Sequence, residues 1–146
     1  MALKFKPDMA KFTNELMVNE VNLDESALNQ SSLVCYYMDQ KAQAERQYSA
    51  LRLKQDIVYS RKYSELQAEF ISAEKRVTEK ALDSMIKVDA EYQRVALEVI
   101  LAKEIRDQLE ACIQSLVDRK KLIQQLLDFR MLQAGGSVPL RNPTSV

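Results

Sequence analysis

The stretch from Asp89 to Gln133 runs for 45 residues without a proline or a glycine, and Gly135-Gly136 stops it. Its apolar residues return at three- and four-residue steps: Tyr92, Val95, Ala96, Val99, Ala102, Ile105, Leu109, Cys112, Ile113, Leu116, Ile123, Leu126 and Leu127. That is the period of a helix, not the alternation of a strand. Asp89 suits the N-cap, Glu91 lies in the first turn, and Gly135 suits a left-handed C-cap. At 1.5 Å per residue such a helix is roughly 65–70 Å long, well beyond the width of a compact domain of this size. A stripe that long needs an equally long partner to cover it.

The partner is expected between about Ser31 and Ala73, a span that also lacks proline and glycine. There Leu33, Tyr37, Ala44, Tyr48, Leu51, Val58, Leu66, Phe70 and Ala73 keep the helical period, interrupted by Gln40, Gln55 and Lys62. Around Glu74–Thr78 the chain turns. Thr78 then reads as the N-cap of a short helix, Glu79 to about Lys87, with Ala81, Leu82, Met85 and Ile86 facing inward. Near the start, Pro7-Asp8 opens a short helix carrying Met9, Phe12, Leu16 and Met17. Its pattern breaks around Asn22–Ser26, where Asp24 or Ser26 would cap the next element. From Ser137 onward the chain has Pro139 and Pro143 and no period, so it reads as a flexible tail. The organisation expected is a short-helix segment over 1–30, a helical hairpin domain over 31–136 and the tail over 137–146.

The fold class is therefore all-α: an extended antiparallel helical hairpin of two long helices with short extra helices. Two glycines and three prolines in the whole chain leave almost no turn chemistry for a sheet. Two helices cannot enclose a core as four can. Tyr36, Met38, Leu53, Ile57, Leu97, Ile100, Leu101 and Leu122 also widen the apolar stripes beyond a two-helix seam. Self-association through those stripes is the expected remedy, and a monomeric bundle folded back at further breaks is the alternative.

Hydrophobic residues make up 47% of the chain and charged residues 29%, a balance that suits neither disorder nor a membrane span. The first residues lack the apolar core of a signal peptide, and a cytoplasmic location is expected. Cys35 and Cys112 fall inside helical patterns, where a thiol packs as a small hydrophobe. With no histidine and two cysteines, the usual zinc and transition-metal sites cannot be built within one chain, so no metal or cofactor is expected. Enzyme signals are also missing. The one Gly-Gly follows a helix instead of opening one, and the common general base is absent. Many acids stand three or four residues from a base, as in Asp83 with Lys87 or Arg106 with Glu110, the spacing of ion pairs on a helix surface.

Lysine plus arginine and aspartate plus glutamate balance at 21 each, yet the distribution is uneven. Residues 41–62 carry Lys41, Arg46, Arg52, Lys54, Arg61 and Lys62 against Glu45 and Asp56. A second block, Arg119, Lys120 and Lys121, follows an acidic stretch, and Arg130 comes later. In an antiparallel hairpin the two blocks could meet toward its open end. Tyr48, Tyr59 and Tyr63 interleave with the first block. Basic residues with aromatic neighbours suit single-stranded nucleic acid, whose phosphates take the charges and whose bases stack on rings. A solvated face with core tyrosines is the competing explanation, and Tyr48 falls on the apolar stripe.

Three segments, Leu51–Asp56 (Leu-Arg-Leu-Lys-Gln-Asp), Ile86–Asp89 (Ile-Lys-Val-Asp) and Asp128–Gly135 (Asp-Phe-Arg-Met-Leu-Gln-Ala-Gly), carry a further signal. In that order, over about residues 33–135, they resemble the phage recombination mediator family of the UvsY type. The resemblance implies a small, helical, ring-forming homo-oligomer that binds single-stranded DNA. It also implies a role in loading a RecA-like recombinase onto strands covered by single-strand-binding protein. Leu51, Arg52 and Lys54 fit the start of the family's central motif. The aromatic pair that follows there falls on Ile57-Val58, and the Ser-Gly falls on Tyr59-Ser60. The two bases carry over; the stacking role does not, since one position is about 100° around a helix. The nucleic-acid-binding residues expected are thus Lys41, Arg46, Arg52, Lys54, Tyr59, Arg61, Lys62, Arg119, Lys120 and Lys121. The alternative is a coiled-coil scaffold or phage morphogenesis protein that does not bind nucleic acid.

Overall fold

The computed structural model describes residues 3–135, and the tail expected over 137–146 lies outside them. Four helices follow one another: α1 (Met9–Leu16), α2 (Leu23–Ser72), α3 (Glu79–Lys87) and α4 (Ala90–Gln133). No strand occurs among the described residues, so the fold is all-α with two long helices, as the periodicity requires.

Local chemistry explains each boundary. The Asp8 carboxylate caps α1 by accepting from the Lys11 N–H at 3.1 Å. Helix α2 begins at Leu23, eight residues ahead of the expected start. Asn19 and Asn22 tie the preceding turn together, the Asn19 N–H donating to Asn22 Oδ1 and the Asn22 N–H to Asn19 Oδ1. Asp24 and Glu25 fill the first helical turn and Ser26 is buried within the helix, so neither Asp24 nor Ser26 is the cap expected from the sequence. At the other end, Lys75 N–H donates to the Phe70 carbonyl and Glu74 N–H to the Ile71 carbonyl, the paired bonds of a Schellman ending. Glu74 takes the left-handed position (φ 54°) where glycine is usual. Thr78 caps α3 by accepting from Ala81 N–H. Asp89 caps α4 by accepting from the Glu91 and Tyr92 N–H groups at 2.9 and 3.1 Å. Only Leu82 and Ile86 of α3 turn inward; Met85 and Ala81 are exposed, because one turn of contact admits a narrower face than the sequence suggested.

Buried positions on the long helices recur at intervals of seven. On α4 they are Val95, Ala102, Leu109, Leu116 and Ile123. On α2 they are Leu23, Gln30, Tyr37, Ala44 and Val58, with half-buried Leu51 completing the series. A heptad of this kind is the seam of a coiled coil. Glu98, Cys112 and Arg119 occupy a second seam row on α4, so two charged residues sit where apolar ones are usual.

The described chain divides into two compact units. The first joins the N-terminal segment through Pro7 to Asp39–Glu110, and its core holds Ala44, Val58, Leu82, Ile86, Val95, Val99, Ala102 and Leu109. Within it α2 and α4 run antiparallel, shown by contacts such as Lys54 with Glu98 and Arg61 with Glu91. The second joins Asp8–Met38 to the described residues from Ala111, with Phe12, Leu23, Tyr37, Cys112, Leu116 and Ile123 inside. There Phe12 meets Tyr37 edge-on at 4.9 Å, and the Tyr37 hydroxyl donates to Glu15 at 2.6 Å. Burial, then the Glu15 carboxylate, pushes the Tyr37 hydroxyl far above its ordinary pKa.

Candidate nucleic-acid interface

The first basic block lies on α2 within the first unit, and most of it faces acids on α4. Lys41 pairs with Glu110, Lys54 with Glu98 at 3.1 Å and Arg61 with Glu91 at 2.6 Å. Lys62 reaches Asp89 at 3.1 Å and Glu91 at 3.6 Å, while Glu45 answers Arg106 at 3.7 Å. The partners descend along α4 as they ascend along α2, so the block fixes the antiparallel register. Glu91 raises the Arg61 pKa and Asp89 that of Lys62. Apart from Lys54–Glu98, whose acid is buried, pairs this exposed are individually weak.

Arg46 and Arg52 stand apart. Both are exposed, and neither forms an ion pair among the described residues. Arg46 Nε donates to its own helix at the Ala42 carbonyl, and Arg52 Nη1 to the Tyr48 hydroxyl at 3.4 Å. Arg52 and Lys54 are two positions apart, about 200° around the helix, so the two bases of the motif do not share a face. Tyr59 is half-buried. Its hydroxyl donates to Asp83 at 3.2 Å, and its ring stacks on Tyr63 (6.4 Å between centroids) and meets Tyr92 edge-on. It ties α2 to α3 and α4 and does not stand open as a platform. Tyr48 lies under the Arg106 guanidinium, 4.6 Å from ring centre to Cζ.

The second block belongs to the other unit. Arg119 is a correction to the sequence reading. It is 8% exposed, with Nη1 donating to the Ser26 carbonyl and to Gln30 Oε1, and Nε has no partner. Burial lowers its pKa. A guanidinium held this way is part of the packing and does not face solvent. Lys120 and Lys121 are exposed, and Lys121 pairs with Asp118 at 2.9 Å.

Helix α4 gives the first unit one buried acid, Glu98, at 7% exposure. Its Oε2 holds Lys54, and its Oε1 has no partner. Beside it runs the N-terminal segment, whose contact with α2 was not expected from residues 1–30 taken as a separate short-helix segment. Gln47 fastens it twice: Phe5 N–H donates to Gln47 Oε1 at 2.9 Å, and Gln47 Nε2 donates to the Phe5 carbonyl at 3.3 Å. The segment therefore brings Lys4 to the side of Arg46 and Lys54. The legible signal was the alternation Leu3-Lys4-Phe5-Lys6, apolar positions half-buried and lysines exposed. Among the described residues no group of histidine, cysteine and carboxylate side chains forms a metal site, and no helix is long and apolar enough to cross a membrane.

No protein-family model and no curated sequence matches the chain. Solved structures do. The fold is similar to that of the bacteriophage T4 recombination mediator protein UvsY in two crystal lattices. In one, the TM-score is 0.75 at 10% identity, covering 86% of this chain and 94% of that one. In the other it is 0.71 at 11% identity, covering 87% and 95%. This chain therefore has a UvsY-like fold over most of its length.

The corner between α3 and α4 gives a pH dependence with a definite sign. Tyr92 N–H, then Lys62, holds the Asp89 carboxyl below its ordinary value, and Arg61 does the same for Glu91. Groups whose folded pKa is depressed contribute stability above their ordinary range and lose it as pH falls through the folded value. Urea midpoints are expected to hold steady down to about pH 5 and to drop below about pH 4. Asp89→Asn should lower the neutral midpoint and make the acid drop shallower. An equally steep drop in that variant would place the acid-sensitive group elsewhere.

Proposed function

We propose that this chain is a non-enzymatic recombination mediator that binds single-stranded DNA as a homo-oligomer. In that role it helps a RecA-like recombinase assemble on strands covered by single-strand-binding protein, inside the cell that a phage has infected. The observation that carries this reading is the fold likeness to the T4 recombination mediator protein over most of this chain and nearly all of that one. Exposed Arg46 and Arg52 supply positive charge not committed to an acid among the described residues. The apolar residues that widen the stripes also support it: Leu53, Ile57, Leu97 and Ile100 are all more than half exposed, which favours burial against further copies.

Strand titration over a range of salt tests it. A phosphate binder loses affinity steeply as salt rises, because each contact releases counterions. The double variant Arg46→Ala/Arg52→Ala is expected to bind every strand sequence more weakly. Its slope of log affinity against log salt should be shallower by roughly 1.4 for two lost contacts on a single strand. Helicity should be kept, since alanine favours helix more than arginine does. The scaffold reading has its own support, the interhelical pairs that occupy Lys41, Lys54, Arg61 and Lys62. A parent chain without strand affinity at low salt would decide for the scaffold.

A further inference from the structure

Beside the fastened N-terminal segment the first unit has a groove of about 600 Å³, within the size range of small-ligand sites. Leu3, Phe5 and Leu51 give it apolar walls. Lys4 and Arg46 line it as well, from two separate elements. Glu98 is the residue that α4 contributes, buried, with Lys54 on one oxygen and nothing on the other.

We infer that this groove takes one unstacked nucleobase of a bound strand, with the flanking phosphates on Lys4 and Arg46. The inference rests on the strand binding proposed above and names where a base would be held. Its chemistry separates a base from other occupants. A bare phosphate would gain Lys4 and Arg46 but would be repelled by a buried carboxylate and would leave the apolar walls uncovered. An acidic peptide would bring a second carboxylate toward Glu98. A base covers apolar surface with its faces, offers the Phe5 ring a stacking partner, and brings no charge of its own against the Glu98 carboxylate. The two phosphates beside that base carry the negative charge that the lysine and arginine match. Tyr59, which the sequence suggested for stacking, is occupied by Asp83 and Tyr63, so Phe5 takes that role.

The experiment compares an ordinary oligonucleotide with one of the same length containing abasic sites, which keeps its phosphates and lacks the bases. The parent chain is expected to prefer the ordinary strand by about ten-fold, the scale of one stacked base. Phe5→Ala should remove that preference while affinity for the abasic strand stays the same. Arg46→Ala should weaken both strands alike. Gln47→Leu, which releases the segment without altering the ring, should remove the preference as well, and it decides the matter should Phe5→Ala lose helicity. If the parent binds both strands equally, or both variants keep the preference, the groove is not a base site, though strand binding itself stands. If the parent binds neither strand, this inference and the proposed function fall together.

Discussion

Leu116→Asp is expected to lower the stability of the chain by roughly 3–5 kcal/mol, a large share of the 5–15 kcal/mol typical of a domain. Leu116 is fully buried in the second unit, one heptad from Leu109 and one from Ile123. Across from it, Gln30 donates to its backbone carbonyl at 2.7 Å, so the seam is closed there by a hydrogen bond as well as by packing. A carboxylate placed in that seam has no base to meet it except Arg119, already bonded to Ser26 and Gln30. The cost falls on the chain's own core, whatever the state of assembly. Leu122→Asp is the control: at 45% exposure it should shift the urea midpoint little, because surface substitutions are usually within about 0.5 kcal/mol. Any change in oligomer size with Leu122→Asp would then report on assembly alone. Urea unfolding followed by circular dichroism separates the two, and a Leu116→Asp midpoint equal to that of the parent would contradict the burial on which the seam depends.

The long helices were legible because their signal is repeated many times over. Val95, Val99, Ala102, Leu109 and Leu116 state one period, and Asp89 and Gly135 mark its ends with side-chain and backbone chemistry that acts locally. Helix α2 was read short because Asn19, Asn22, Asp24 and Ser26 are all capping residues, and composition does not say which one acts. In the structure Asn19 and Asn22 bond each other, which leaves Ser26 free to be buried. The polar part of the seam was hidden for a different reason. Gln30, Glu98 and Arg119 hold seam positions, and a polar residue in a periodic pattern reads as an interruption until its partner across the seam is known. The candidate interface was the least legible part. Lys54, Arg61 and Lys62 look like a cluster along the chain, yet their charge is answered by Glu98, Glu91 and Asp89, 27 to 44 residues away. Sequence proximity groups charges by position along the chain, whereas phosphates would sense only what the opposite helix leaves unpaired. Tyr59 is likewise engaged by Asp83 and Tyr63, and a ring serves a ligand only if the fold has not already used it.

Gln30→Leu is expected to destabilise the chain by roughly 2–4 kcal/mol, more than truncation of most surface residues, because of what it would leave behind. Arg119 is buried without an acid in salt-bridge range among the described residues, and Gln30 Oε1 is the one side-chain acceptor of its guanidinium. Leucine at position 30 would leave that charge with the Ser26 carbonyl alone, at 3.4 Å, and would take from the Leu116 carbonyl its second donor, leaving only its helical bond. Removing one partner of a buried polar pair costs more than removing both, since the survivor keeps its desolvation and loses its bond. The double variant Gln30→Leu/Arg119→Met should therefore recover most of the loss, and the coupling energy of the cycle should be large for residues in contact. Arg119→Met by itself should cost less than Gln30→Leu, because an unpaired amide is easier to bury than an unpaired guanidinium. The same variant distinguishes a packing residue from a phosphate ligand. Strand affinity and its salt slope should be unchanged in Arg119→Met. A shallower slope there, with stability preserved, would mean that Arg119 leaves Gln30 to grip phosphate, and a double variant no more stable than Gln30→Leu would mean the two side chains are not coupled at all.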